Sequence, residues 1–516
     1  MAPPTTLDRG KLAVFAVMVV GMFMAILDIQ IVASSLKDIQ AGLAASADEI
    51  SWIQTSYLIA EVVMIPLTGY LARLMSTRVL FTISSAGFAL SSLLCALAGD
   101  IESMIVFRAI QGFIGGAMIP VTFAASFLMF PREWRNSISV LMGLVATMAP
   151  TIGPSLGGWI TEHSSWHWLF LINLLPGVIV SVLVWTCIDI DKPNRSLLKG
   201  IDILGFVLMA LFLGSLEYVM EEGPRWDWLD DDAVRAVAMI GTAAGIGFFW
   251  RMFSYGNPIV DLRAFADRNF ALGCLYSFII GVGLYGIVYI MPLFLANIRG
   301  YNALQIGEVM FVTGVFQFLS APIAGRLAKV LDPRAMLVLG LCLFGGGVYL
   351  QSLLTAEWGF WEFFLPQAVR GLALMFLFMP VNIMALGTLP PERLQNASGL
   401  YNLMRNLGGA IGLAGINTVM IDRLALHWMR LVENLTPGNP NLQEFLSNTG
   451  AGLAIDLGQA GDAAATRLLA NMVRQQADVL TFADVLLLMA AVFIASLALI
   501  PLLRKPRPAP SAGGAH

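Results

Sequence analysis

Long apolar runs alternate with short polar breaks from one end of the chain to the other. The first run, Leu12 to Leu36, reads LAVFAVMVVGMFMAILDIQIVASSL. It is long enough to cross a bilayer, for which about 20 apolar residues suffice. Comparable runs follow at 51–72, 79–98, 104–128, 137–160, 166–188, 202–220, 234–253, 271–295, 303–325, 335–354, 362–386, 397–421 and 482–503. The pattern predicts about 14 membrane-spanning helices and an all-α polytopic membrane protein.

The chemistry starts where charge interrupts hydrocarbon. Asp28 lies about two-thirds of the way along the first run. A carboxylate there costs on the order of 2.5–3.5 kcal/mol by insertion scales. Such a residue either locks helices together through hydrogen bonds or gains and loses a proton. Arg108, in the fourth run, is the natural cation: the first helix runs outward and the fourth inward, so both residues fall in the outer half. Glu61 is mid-span in the second run, near Pro66. It reads as a second proton carrier, a recognition group for cationic substrates, or a structural ion-pair member. Glu217 and Glu308 fall nearer the outer ends of their runs, close to water. With Gln111 and Arg370 they complete the set of candidate cavity residues. Arg405 falls near the inner end of its run, where backbone carbonyls would hold it. His163, His167, His427 and His516 lie at the outer surface, in a loop or in the tail, with no metal-binding spacing.

Lys and Arg concentrate in alternate loops, including Arg73, Arg78, Arg132, Arg135, Arg326, Lys329 and Arg393. The positive-inside rule puts these loops and both termini in the cytoplasm. The chain also repeats itself. Pro66-x-x-Gly69-x-Leu71-Ala72-Arg73 returns as Pro322-x-x-Gly325-x-Leu327-Ala328-Lys329. Arg108-x-x-Gln111-Gly112 is echoed by Gln367-x-x-Arg370-Gly371, and Pro131-Arg132-Glu133 by Pro391-Glu392-Arg393. The offset, about 260 positions, predicts two parallel halves related by an axis along the membrane normal. The expected organisation is an N-terminal six-helix bundle (1–195), two linker helices (196–265), a C-terminal six-helix bundle (266–503) and a cytoplasmic tail (504–516).

Residues 422–481 form one long loop on the outer side. Leu424, Trp428, Leu431 and Leu435 share a helical face, Pro437 to Pro440 breaks that helix, and Leu469, Met472, Val473, Gln476 and Val479 suggest a second. The pair would cover the membrane surface, cap the molecule or meet a partner. In the fifth run, Pro150, Gly153, Pro154, Gly157 and Gly158 crowd into nine residues. Small residues permit close helix approach and prolines bend helices, so a kink at a moving contact is expected.

Composition narrows the function. Of 516 residues, 58% are hydrophobic and 12% charged, with a mean hydropathy of +0.77. Soluble domains carry about 25% charged residues. No basic, aromatic-interleaved patch suggests nucleic acid. No G-x-x-x-x-G-K-[ST] motif exists to bind ATP, and no nucleophile–base set or H-E-x-x-H stands out. The four cysteines have no metal or disulfide spacing. A proton gradient, with no cofactor, is the expected energy source.

At this point the motifs resemble a known family. The chain resembles the 14-helix drug:proton antiporters of the major facilitator superfamily, most closely the EmrB-type permeases. Leu27-Asp28-x-x-Ile31-Val32 is similar to that family's intramembrane aspartate motif. Gly69-x-Leu71-Ala72-Arg73 resembles its cytoplasmic loop motif, Arg108-x-x-Gln111-Gly112 its fourth-helix motif, and Gly153-Pro154-x-x-Gly157-Gly158 its antiporter motif. Asn173 fits its sixth helix, and Asn402-x-x-Arg405-Asn406 an EmrB-type signature. The loop motif departs in having Arg73 where an Asp is usual. The resemblance implies proton-driven export of amphipathic compounds by alternating access. It also implies a periplasmic adaptor and an outer-membrane channel as partners. The competing readings are export of one endogenous compound such as a siderophore or fatty acid, a sensor on a transporter scaffold, and a lipid-modifying enzyme, for which no catalytic cluster stands out.

Overall fold

The computed structural model describes residues 9–46, 49–256, 258–436, 438–457 and 460–504. Asn257, Pro437 and the tail beyond Arg504, with Lys505 and Arg507, lie outside the described residues. The described chain is helical, with no strand among the described residues. Among the described residues, fourteen helices are long and apolar enough to cross a membrane. In chain order they are α1 (Gly10–Ser34), α2 (Trp52–Met75), α3 (Thr77–Ala96), α4 (Ile101–Met129), α5 (Trp134–His163), α6 (Trp168–Cys187), α7 (Ile203–Arg225), α8 (Asp232–Ser254), α9 (Arg268–Asn297), α10 (Leu304–Leu327), α11 (Pro333–Ser352), α12 (Phe360–Leu386), α13 (Pro391–Glu433) and α14 (Gly461–Leu502). We call the side where α1 begins the near side and the opposite one the far side. One crossing per helix brings the chain back to the near side after α14.

Short polar side chains start many of these helices, because the first turn's amide groups have no partner inside the helix. Asp100 Oδ1 accepts from the Ser103 amide at 2.8 Å, and Asp267 Oδ1 from the Phe270 amide at 2.9 Å. At α10, Asn302 and Gln305 cap each other's backbone reciprocally. One span departs from its sequence pattern. The apolar run at 104–128 is two segments, Ile101–Gly115 and Met118–Met129. Pro120 explains the break, since it lacks an amide hydrogen and its ring collides with the carbonyl four residues back.

Helices α1–α6 pack among themselves, as do α9–α14, and the two sets meet chiefly through α5 on α10 and α2 on α13. Helix α7 packs on α2 and α13, while α8 rests mainly on α7. Only 28% of the most apolar stretch of α8 is buried, so most of its surface is left for lipid.

The near-side ends of the two sets are bonded together. Ser398 Oγ donates to the Pro120 carbonyl at 2.6 Å, and Asn136 Nδ2 to the Ala328 carbonyl at 3.2 Å. A Cβ on Gly69 would sit 2.5 Å from Asn396 Cα, so α2 touches α13 backbone to backbone.

Two features of the 422–481 region differ from the sequence pattern. Helices α13 and α14 run on through it, α13 to Glu433 and α14 from Gly461. A further helix, Pro440–Leu457, lies between them and packs on α14. Leu424, Trp428, Leu431 and Leu435 are half-buried on one face, but Met472 and Gln476 are exposed. Of the expected face Val479 is buried, and beside it Ala465 and Ala477 are buried too, because small residues let a neighbouring helix lie close.

Candidate functional site

Helices α1, α2, α3, α4 and α6 converge on a polar cluster sealed from outside. Asp28 and Arg108 are both 0% exposed. Arg108 Nη1 donates to Asp28 Oδ2 at 2.7 Å and to Gln111 Oε1 at 2.6 Å. Gln111 stands one turn along α4 from Arg108, so the two project together. Its Nε2 donates to Asp28 Oδ1 at 3.2 Å and to Ser92 Oγ at 2.7 Å. Asn173 Nδ2, at the start of α6, donates to Asp28 Oδ1 at 2.6 Å. Both carboxylate oxygens are thus held by donors from two other helices.

Arg108 is held in turn by Nε donating to the Ile53 carbonyl at 3.3 Å. Its guanidinium carbon lies 4.2 Å from the centroid of the Tyr57 ring, a cation–π contact that partly replaces water around the charge. Nη2 makes no hydrogen bond among the described residues. Gly112 makes this approach possible, since any Cβ there would collide with the Tyr57 carbonyl. A buried ion pair gains less than its Coulomb energy suggests, because both ions are stripped of water. Removing one partner is costly, since it strands the other charge.

Arg370 sits at the corresponding place in the second set of helices, and its surroundings are different. Nη1 donates to Gln351 Oε1 at 2.8 Å and Nη2 to Thr313 Oγ1 at 3.0 Å, with Gln367 Oε1 beside it. All these partners are neutral, and no carboxylate pairs with Arg370 among the described residues.

Glu61 is 2% exposed, and no hydrogen bond or ion pair reaches its carboxylate among the described residues. Its electrostatic neighbours are Arg405, Arg108 and Asp28. Arg405 lies in the interior rather than against inner-end carbonyls. It is buried, donates to Asn402 Oδ1 at 2.7 Å, and lies 5.4 and 5.5 Å from the rings of Phe123 and Phe378. Depth is also corrected for Glu217. It is 4% exposed, because α2 and α13 pack over α7. Glu308 is exposed and stands apart from the buried cluster.

The small-residue motif of α5 lies against α1 just beyond Asp28. A Cβ on Gly157 would stand 2.8 Å from the Ile31 carbonyl, and one on Gly153 would collide with Gln30. The helix continues through Pro150 and Pro154, and Pro150 and Gly158 are buried. At the near side, Arg73 Nε turns back to the Gly69 carbonyl of its own helix at 3.1 Å. Lys329 is exposed, and the space beside Gly325 is ordinary, with Val140 at 3.6 Å from a built Cβ.

A near-side junction is built from residues that the sequence pattern did not single out as a site. Asp191 accepts from the Thr77 amide at 2.8 Å, from Thr77 Oγ1 at 2.9 Å and from Gln395 Nε2 at 2.8 Å. It ties the start of α3 to α13. Ser92 is equally hard to pick out as a ligand, since neutral polar residues stand out little in apolar runs, and Asn173 stands out only through the family resemblance. The far-side His427 is not a free surface group: its Nε2 lies 2.9 Å from Asp484 Oδ2.

Helices of membrane-spanning length gathered around a buried, cross-helix carboxylate fit a secondary transporter, the class that the family match gives. Residues 18–413 match the Major Facilitator Superfamily, and the chain belongs to it, as an EmrB-type multi-pass transporter of the inner membrane. It is 43% identical to the colistin resistance protein EmrB of Acinetobacter baumannii, over 93% of this chain and 94% of that protein. It is 30% identical to the multidrug export protein EmrB of Escherichia coli K12, over 95% of each. It is 29% identical to the fatty acid resistance protein FarB of Neisseria gonorrhoeae, over 96% of each. Among solved structures, the proton:xylose symporter XylE shares the fold, with a TM-score of 0.56 at 13% identity, covering 94% of this chain and 95% of that one.

Proposed function

We propose that this protein exports amphipathic and hydrophobic compounds from the cytoplasm in exchange for protons. One observation carries the reading: a carboxylate with no exposure, gripped on both oxygens by Arg108, Gln111 and Asn173. A proton arriving on Asp28 removes the charge that holds Arg108. The freed guanidinium then favours a different helix arrangement, so protonation and conformation are coupled. Glu61, between Arg108 and Arg405, is a second group through which charge is exchanged, or the one that meets a cationic substrate. Gln111, Glu217 and Arg370 are further polar groups open to substrate in other conformations.

In this reading the near side is cytoplasmic, both termini included. Residues 1–195 and 266–503 form two rocking six-helix halves, with 196–265 as linker helices. Closure at Gly69, Gly325 and the Asp191 junction alternates with closure at the far side, and α5 slides on α1 through Gly153, Pro154, Gly157 and Gly158. The relatives' names support drug-like substrates, and FarB adds fatty acids. A periplasmic adaptor and an outer-membrane channel would complete the export route, with 422–481 as the contact.

The test is proton release from everted vesicles when a panel of lipophilic drugs and a long-chain fatty acid is added. Compound-dependent release in the wild type and none in Asp28→Asn, at equal membrane insertion, supports the proposal. Equal release in both contradicts it.

A further inference from the structure

Away from the buried cluster, a cavity of about 300 Å³ lies between the far-side ends of α7, α13 and α14. That is at the low end of small-molecule sites, which run roughly 300–1,000 Å³. Its wall is mainly apolar, with Met420, Ile421, Leu424 and Phe482. Phe482 is buried at the back and Ile421 is 54% exposed at the rim. Two carboxylates face it, Glu221 from α7 and Asp478 from α14.

The charges do not cancel. The one cation among the described residues of the wall, Arg225, donates to Ser51 Oγ at 3.1 Å and lies 4.0 Å from Glu222, outside the wall. Asp478 is loosely engaged by the mostly exposed Arg474 at 3.8 Å. Glu221 is half-buried, and no hydrogen bond or ion pair reaches its carboxylate among the described residues. One turn deeper on α7 stands Glu217, whose Oε2 is buried without a hydrogen bond. It lies within electrostatic reach of both Glu221 and Glu61. An apolar pocket with an unneutralised carboxylate suits an apolar body carrying one positive charge, because the cation supplies what the protein leaves unpaired.

We infer that this cavity is a far-side binding site for an amphipathic monocation, and that the first linker helix, through Glu221, supplies its charge selectivity. The inference rests on the export reading above and adds a station on the exit side. It also gives α7 a task beyond spacing the two halves.

The test uses the full-length protein in detergent at low ionic strength, titrated with ethidium and with phenanthridine, its uncharged core, at alkaline pH. Glu221→Gln keeps the side-chain shape and should weaken ethidium binding about tenfold, since a half-buried pair is screened less than a surface one. Asp478→Asn should weaken it about threefold, because Arg474 already shares that charge. Phenanthridine should bind both variants as it binds the wild type. Ile421→Trp, which narrows the mouth without touching a charge, should weaken both probes. Glu308→Gln should change neither. Ethidium binding to Glu221→Gln at wild-type strength overturns the inference, as does equal loss of both probes in that variant. If no compound moves in vesicles while ethidium binding still depends on Glu221, the export reading fails and the site stands.

Discussion

Asn173 Nδ2 lies 2.6 Å from Asp28 Oδ1, the oxygen that Arg108 leaves to other donors. The carboxylate is therefore clamped from two sides by groups on α4 and α6. Asn173→Leu removes one clamp without altering charge. Transport should fall about tenfold, the scale of one hydrogen bond to a charged group, while binding of drug to the detergent-purified protein is retained. Unaltered flux in Asn173→Leu would show that the second clamp is dispensable.

Arg108→Gln should be far more destabilising than Asp28→Asn. It strands a buried carboxylate, at a cost of about 3–5 kcal/mol, whereas the amide variant leaves a cation cushioned by Tyr57. The double variant should recover most of the lost thermal stability and none of the transport. Differential scanning fluorimetry with a vesicle flux assay checks this; additive losses of Tm would show that the two residues do not interact.

Closure of the near side should depend on Asp191. With spin labels at Arg78 and Arg393, both exposed there, the native protein should give a dominant short distance. Asp191→Ala, which frees Thr77 and Gln395, should add a longer one. An unchanged distribution would remove Asp191 from the closing contact.

Gly157→Leu should abolish transport with little loss of folded protein, because the Ser34 hydroxyl and the Ile31 carbonyl of α1 already stand 2.5 and 2.8 Å from where its Cβ would go. Size-exclusion profiles and flux separate the two effects. Full activity would mean that α5 and α1 do not need their close approach.

Much of this architecture is legible along the chain. Apolar runs mark the spans, since hydrocarbon tolerates little else, and Asp28 and Arg108 stand out because charge there is costly. What stays hidden depends on partners distant in sequence. Asn173 meets Asp28 across 145 positions and Gln395 meets Asp191 across 204, and neither neutral amide disturbs its local pattern. Glu217 reads as shallow because depth is counted from the end of its run, whereas α2 and α13 bury it. The helix at Pro440–Leu457 sits in a stretch whose pattern is not strong enough to announce it.

The most direct measurement is simultaneous proton and drug flux in proteoliposomes holding an imposed pH gradient, for the wild type and Asp28→Asn. The account predicts that drug addition releases protons through the wild type, and that Asp28→Asn binds drug yet moves neither drug nor protons. Drug-dependent proton release through Asp28→Asn at the wild-type rate would contradict it.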